Sequence, residues 1–148
     1  MKMEGEYTLP ATQEAVWAAL NDPEVLKECI PGCEEFERTD ENQFAAVAIA
    51  KVGPVKAKFK GEVTLLDLDP PHGYRIAGEG NGGVAGFAKG GAHVALSPDE
   101  ADGGTVLRYD VDAQVGGKLA QVGQRLINGA AKKMADQFFK NFAEKLSQ

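Results

Sequence analysis

Histidine and cysteine are scarce in this chain, two of each in 148 residues, and basic residues are outnumbered, 16 against 22 acidic. Structural zinc wants four tightly paired ligands, whereas His72 and His93 fall in separate strand regions. Cys29 and Cys33 stand alone as C-x-x-x-C around Ile30-Pro31-Gly32. That count argues against a metal site, and the thiols read as reduced residues at a helix-to-strand turn, with a redox pair as the lesser alternative. The formal net charge of -6 argues against nucleic acid, because phosphate contacts need a clustered basic surface. Long apolar runs are missing too. The longest, Phe44 to Ala50, falls far short of a membrane span, and the amino terminus has no apolar stretch of signal-peptide length. The expectation is a soluble cytoplasmic protein.

The strings that announce common catalytic sites are also missing: no G-x-S-x-G elbow, P-loop or H-E-x-x-H occurs. Gly78-Glu79-Gly80-Asn81-Gly82-Gly83 has the letters of G-x-G-x-x-G. A dinucleotide site needs its last glycine to open a helix whose amino terminus takes the pyrophosphate, and the next residues here begin another strand. A glycine-lined hairpin is the better interpretation. His93 can meet Asp110 or Asp112 across neighbouring strands, but those aspartates alternate with apolar positions and so face water. No catalytic residue and no cofactor is expected.

What the chain does have is strand periodicity. Its length and 43% hydrophobic content suit one domain over residues 1–148 with a real core. Lys2 to Leu9 suits a first strand. Pro10 stops it, and Thr12 caps a helix carrying Val16, Trp17 and Leu20. Asn21-Asp22-Pro23 starts a second short helix through Val25 and Leu26. Six further strands are expected at Glu34 to Arg38, Gln43 to Val52, Val55 to Leu68, Tyr74 to Gly80, Val84 to Leu96 and Thr105 to Val115, divided by hairpin-sized turns. The sheet is therefore antiparallel. Val55, Ala57, Phe59, Gly61, Val63 and Leu65 alternate with Lys56, Lys58, Lys60, Glu62 and Thr64, and the strand through Leu107, Tyr109, Val111 and Ala113 does the same, so one face is wet and the other buried.

A one-sided sheet needs a cover, and the long amphipathic carboxyl-terminal segment after Gly116-Gly117 is the element available. Its apolar stripe runs through Leu119, Gly123, Ile127 and Ala131 and on through Leu126, Ala130, Met134, Phe138 and Phe142. Gly123 and Gly129 each cost a helix about 1 kcal/mol against Ala, which suggests room left for something else. With Ala57, Gly61, Gly78, Ala92 and Ala113 on the inner side of the sheet, the pattern predicts an incompletely filled interior suited to an apolar ligand. A core in which small residues face large ones is the alternative. The predicted lining is Trp17, Phe44, Phe59, Tyr74, Phe87, Tyr109, Leu126, Ile127, Met134 and Phe138, with Tyr74 and Tyr109 able to donate a hydrogen bond. Phe87 is included although Gly90-Gly91 can bulge its strand and change its parity. From Lys118 onward six basic residues face Asp136 and Glu144, a net +4, leaving -10 for the remainder. A solvated helix face explains this, and Lys132, Lys133, Lys140 and Lys145 form the candidate membrane or partner surface.

The strings Val16-Trp17-Ala18-Ala19-Leu20-Asn21-Asp22-Pro23, Ile30-Pro31-Gly32-Cys33, Val115 to Ile127 and Phe138-Phe139 resemble the G-subunit family of carbon monoxide dehydrogenase, part of the START-like, helix-grip superfamily. The resemblance spans nearly the whole chain. It implies an α+β helix-grip fold, a seven-stranded antiparallel sheet wrapped around a long carboxyl-terminal helix with two short helices after the first strand. It further implies a non-catalytic accessory protein of a molybdenum hydroxylase of the carbon monoxide dehydrogenase type, holding a quinone or lipid between sheet and helix. Longer relatives attach to the membrane through an extension after the helix; this chain reaches Gln148 directly after it, so the expectation here is weak contact through the helix lysines at the inner face of the membrane. A small-molecule enzyme of the cyclase or hydrolase kind on the same fold, and a ligand-free docking adaptor, are the alternatives.

Overall fold

A computed structural model describes residues Met1–Gln148. The first strand, β1 (Lys2–Leu9), leads into α1 (Gln13–Leu20), where the Thr12 side chain accepts the backbone N–H of Ala15 at 3.2 Å. Asp22 caps α2 (Pro23–Cys29) through the N–H of Glu24 at 3.0 Å, and Pro23 sits at the helix start, where its missing N–H costs nothing. Six strands then run in succession: β2 (Cys33–Asp40), β3 (Gln43–Val52), β4 (Val55–Asp69), β5 (Gly73–Asn81), β6 (Phe87–Pro98) and β7 (Thr105–Gly116). The last helix, α3, spans Gln124–Leu146.

All seven strands form one antiparallel sheet in the order β1-β7-β6-β5-β4-β3-β2. It is a meander whose last strand pairs with its first. The paired registers bring the apolar alternates of every strand to one concave face. Leu107, Tyr109 and Val111 lie beside Leu96, Val94 and Ala92, and Tyr74, Ile76 and Gly78 beside Val94, Ala92 and Gly90. Helix α3 lies across this face, its backbone close to α2, β1 and β3. This is the helix-grip arrangement.

Two expected boundaries shift. Val84 does not begin a strand; it sits in a short 3-10 turn, Gly83–Ala85, and is 94% exposed, while β6 starts at Phe87. The carboxyl-terminal helix also starts later than its periodicity suggests. Gly117–Val122 is a separate 3-10 turn, and Gly123 adopts φ 96 and ψ 151 before α3 begins. That conformation is open almost only to glycine. Gly123 is thus a break ahead of the helix and not a member of its buried stripe. Gly129 is inside α3 but on its exposed side, with nothing within 4 Å of a Cβ placed there. Neither glycine makes room against the sheet.

Candidate functional site

The core is divided. A larger cluster of ten buried residues occupies the end closed by α1 and α2: Leu9, Val16, Leu20, Cys29, Phe44, Leu65, Tyr74, Leu96, Leu107 and Phe142. A smaller one, Val55, Ala85 and Leu119, lies at the opposite end among the β3–β4 turn and the two 3-10 turns, with Phe59, Val115 and Val122 packed on it. Between them the concave face carries Ala46, Ala48, Gly61, Gly78, Ala92 and Ala113, and α3 carries Ala130 and Ala131; none belongs to either cluster, and all are only half-buried. Small side chains face small side chains across this band. A filled core would place large residues opposite small ones and bury both.

Aromatic rings close the band on the side of the larger cluster. Tyr7 on β1 stacks on Phe139 of α3 with ring centroids 4.2 Å apart, and Tyr109 stacks on the same ring at 5.6 Å. Phe138 packs on Phe142 at 5.5 Å, and Trp17 meets Tyr74 edge-on at 5.3 Å. Burial raises the pKa of the Tyr74 hydroxyl well above its usual range, so it is available only as a neutral group. Tyr7 is also held protonated, first by desolvation and then by donating a hydrogen bond to the Asp136 carboxylate. Lys132 reaches the other carboxylate oxygen at 3.0 Å. Asp136 is accordingly held below the usual carboxylate range, chiefly by the Tyr7 bond and then by Lys132.

The predicted lining residues divide into groups. Trp17, Phe44, Tyr74, Tyr109 and Phe138 come together in or against the larger cluster, Phe44 and Tyr74 as fully packed members at 2% and 7% exposure. Phe59 joins the smaller cluster, its ring lying where a Cβ at Gly82 would be. Ile127 is buried and belongs to neither cluster. Met134 and Leu126 are on α3 but substantially exposed, and Leu126 reaches the β3–β4 turn, 3.0 Å from a Cβ built on Gly53. Phe87 is misplaced by the sequence pattern. The β6 register runs unbroken from Phe87 to Pro98 against both neighbours, so Gly90-Gly91 forms no bulge. Alternation from the inward Leu96 then turns Phe87 to the outer face, where its ring covers Gly116. Sequence reasoning passed over Tyr7, Phe139 and Asp136, although Tyr7 shares its inward parity with Met3, Gly5 and Leu9.

Titratable pairs lie elsewhere. His93 and Asp110 approach to 3.2 Å on the outer face, both largely exposed, beside Arg108 and Glu6. Outer-face depressions of about 530 and 630 Å³ are flanked by Glu62, Glu79 and Lys89 and are polar. Of the four helix lysines, Lys132 pairs with Asp136 and Lys145 with Glu28 at 2.6 Å, so only Lys133 and Lys140 are unpaired. No helix is long and apolar enough to cross a membrane.

Residues 5–147 match the family model of the carbon monoxide dehydrogenase G subunit, CoxG. The chain belongs to that family. A conserved protein from Geobacillus kaustophilus has a crystal structure that superposes with a TM-score of 0.92 at 34% identity, over 99% of this chain and 95% of that one. The fold extends to more distant proteins. TTHA0849 from Thermus thermophilus superposes with a TM-score of 0.72 at 16% identity over 99% and 97% of the two chains. Ara h 8.0201 does so with a TM-score of 0.67 at 17% identity over 99% and 97%. Comparison with curated protein sequences gave no match. Membership of the CoxG family, together with the helix-grip fold, supports an accessory, ligand-binding role.

Proposed function

We propose that the protein is a non-catalytic carrier that holds an apolar molecule, a quinone or a lipid, between the concave sheet face and α3, in the service of a molybdenum hydroxylase of the carbon monoxide dehydrogenase type. One observation carries the reading: the core is split into two clusters, and the half-buried band between them presents Ala46, Ala48, Gly61, Gly78, Ala92 and Ala113 with no large side chain filling it. Apolar surface left reachable in this way is stabilised by an apolar guest at about 25 cal/mol per Å² removed from water. Tyr109 and the ring of Phe139 border the band, and Tyr109 offers a hydroxyl to a carbonyl-bearing guest. The pairing of His93 with Asp110 on the opposite face gives an enzyme nothing to work with at this site.

Native mass spectrometry of freshly purified protein, with fragmentation of any bound species, tests the reading. A stoichiometric prenylated quinone or lipid is the expected result. An empty protein that also shows no thermal shift with added quinones or lipids overturns it and leaves a docking adaptor. Co-purification of the tagged protein with the hydroxylase, the two expressed side by side, tests the partner; failure to co-purify would remove the second half of the proposal.

A further inference from the structure

The end of the molecule built by the β3–β4 turn, the 83–85 turn, the 117–122 turn and the start of α3 has an unusual surface. These segments converge on the small cluster of Val55, Ala85 and Leu119. Gly86 lies so close to the Gly116–Gly117 backbone that a Cβ on it would come within 2.3 Å of the Gly116 carbonyl oxygen. No Asp or Glu occurs in residues 43–61, 80–98 or 113–135, although the whole chain carries a net charge of -6. The same segments expose Lys51 and Lys56, directly paired across the β3–β4 hairpin, with Lys118 and Arg125. None of these four cations has a carboxylate partner. Among them stand two apolar side chains the fold leaves in water, Val84 at 94% exposure on the tip of its glycine-flanked turn and Leu126 at 48%.

We infer that this end docks on an anionic phospholipid surface, with Val84 and Leu126 entering the headgroup boundary while Lys51, Lys56, Lys118 and Arg125 meet lipid phosphates. Charge complementarity selects the occupant. Cations without competing carboxylates, surrounding exposed apolar tips, match the interface of an anionic bilayer, where apolar burial and headgroup attraction add. The unpaired lysines of α3, Lys133 and Lys140, lack such a companion, for their exposed surroundings on that helix are Asn128, Gly129, Asp136 and Gln137. The small-residue band lies directly behind the tip, so docking would present the proposed binding region to the bilayer. Only this purpose rests on the carrier reading; the docking itself does not.

The test is co-sedimentation of the full chain with vesicles of equal parts phosphatidylglycerol and phosphatidylcholine, against vesicles of phosphatidylcholine alone. Wild type is expected to bind the anionic vesicles, to ignore the neutral ones, and to release as salt rises. Val84→Asp should abolish binding without disturbing the fold, since nothing packs on Val84. The Lys51→Ala/Lys56→Ala variant should weaken binding about fivefold for each lysine removed, and Lys133→Ala/Lys140→Ala should leave it unchanged. Wild type that fails to bind, or that binds neutral vesicles equally, overturns the inference. So does binding that survives Val84→Asp and the β3–β4 double variant, or that is lost with the α3 variant. Native mass spectrometry of the same proteins separates the two proposals: lost vesicle binding with a retained ligand removes docking alone, and vesicle binding by a ligand-free protein removes the carrier alone.

Discussion

The hydroxyl of Tyr7 on the first strand donates a hydrogen bond to the carboxylate of Asp136 on the last helix, across 129 positions of sequence. With the stacking of Tyr7 on Phe139 one helical turn further on, it ties the helix to the strand that closes the sheet against β7. The grip on the helix is therefore partly polar. On the opposite flank Asn141 donates to the Cys29 carbonyl at 3.0 Å and Lys145 pairs with Glu28.

That bond makes stability depend on pH in one direction. The Asp136 pKa is lowered in the fold from an ordinary value of 3.8, first by the Tyr7 hydroxyl and then by Lys132. A depressed carboxylate contributes stability in full above its unfolded value and loses it as pH falls through the folded one. Tyr7→Phe is expected to unfold at lower urea than wild type at neutral pH, and the gap should narrow below pH 3.8. A gap that persists unchanged in acid would mean the bond is not what the substitution removes.

Phe142 is completely buried in the larger cluster, whereas Phe87 is 43% exposed on the outer face. Phe142→Ala should cost about 3–5 kcal/mol by cavity formation, and Phe87→Ala no more than about 0.5 kcal/mol beyond its lost cover on Gly116. Urea unfolding of the two variants checks the assignment of faces, and comparable losses would contradict it.

The two helix glycines should behave oppositely. Gly129→Ala adds a methyl group in open space inside α3, so thermal unfolding should show a gain of about 0.5–1 kcal/mol. Gly123→Ala forces a side chain into φ 96 and ψ 151 and should lose about 1–3 kcal/mol.

Ala92 lies in the small-residue band between Ile76 and Val111 in the paired register. If the band is open, Ala92→Leu should be nearly neutral for stability while reducing the amount of co-purifying ligand. In a filled core the same change overpacks and costs about 1–3 kcal/mol, so one unfolding curve and one mass spectrum decide the matter.

Both cysteines are free thiols, and burial raises the pKa of each. Cys29 is 1% exposed, and Cys33 is only half-buried. A thiol reagent at neutral pH should label Cys33 slowly, leave Cys29 untouched in the native protein, and reach both in urea. Rapid native labelling of two thiols would show that the α2 end opens.

Much of this architecture is written in local pattern. Period-two alternation marked the strands and their wet faces, Thr12 and Asp22 announced the two helix caps, and the strings around Trp17, Pro31 and Gly116-Gly117 carried the family, because each depends on residues a few positions apart. Tertiary structure decided the rest. Val84 and Phe87 owe their outward positions to the Gly82–Gly86 turn and to a register held by β5 and β7. Gly123 breaks the helix by a backbone angle that no periodicity encodes. The division of the core, and the meeting of Tyr7 with Asp136, arise only when strands from opposite ends of the chain pair and the helix is laid across them. Composition names the small residues, but the space between them depends on where the large ones have been drawn.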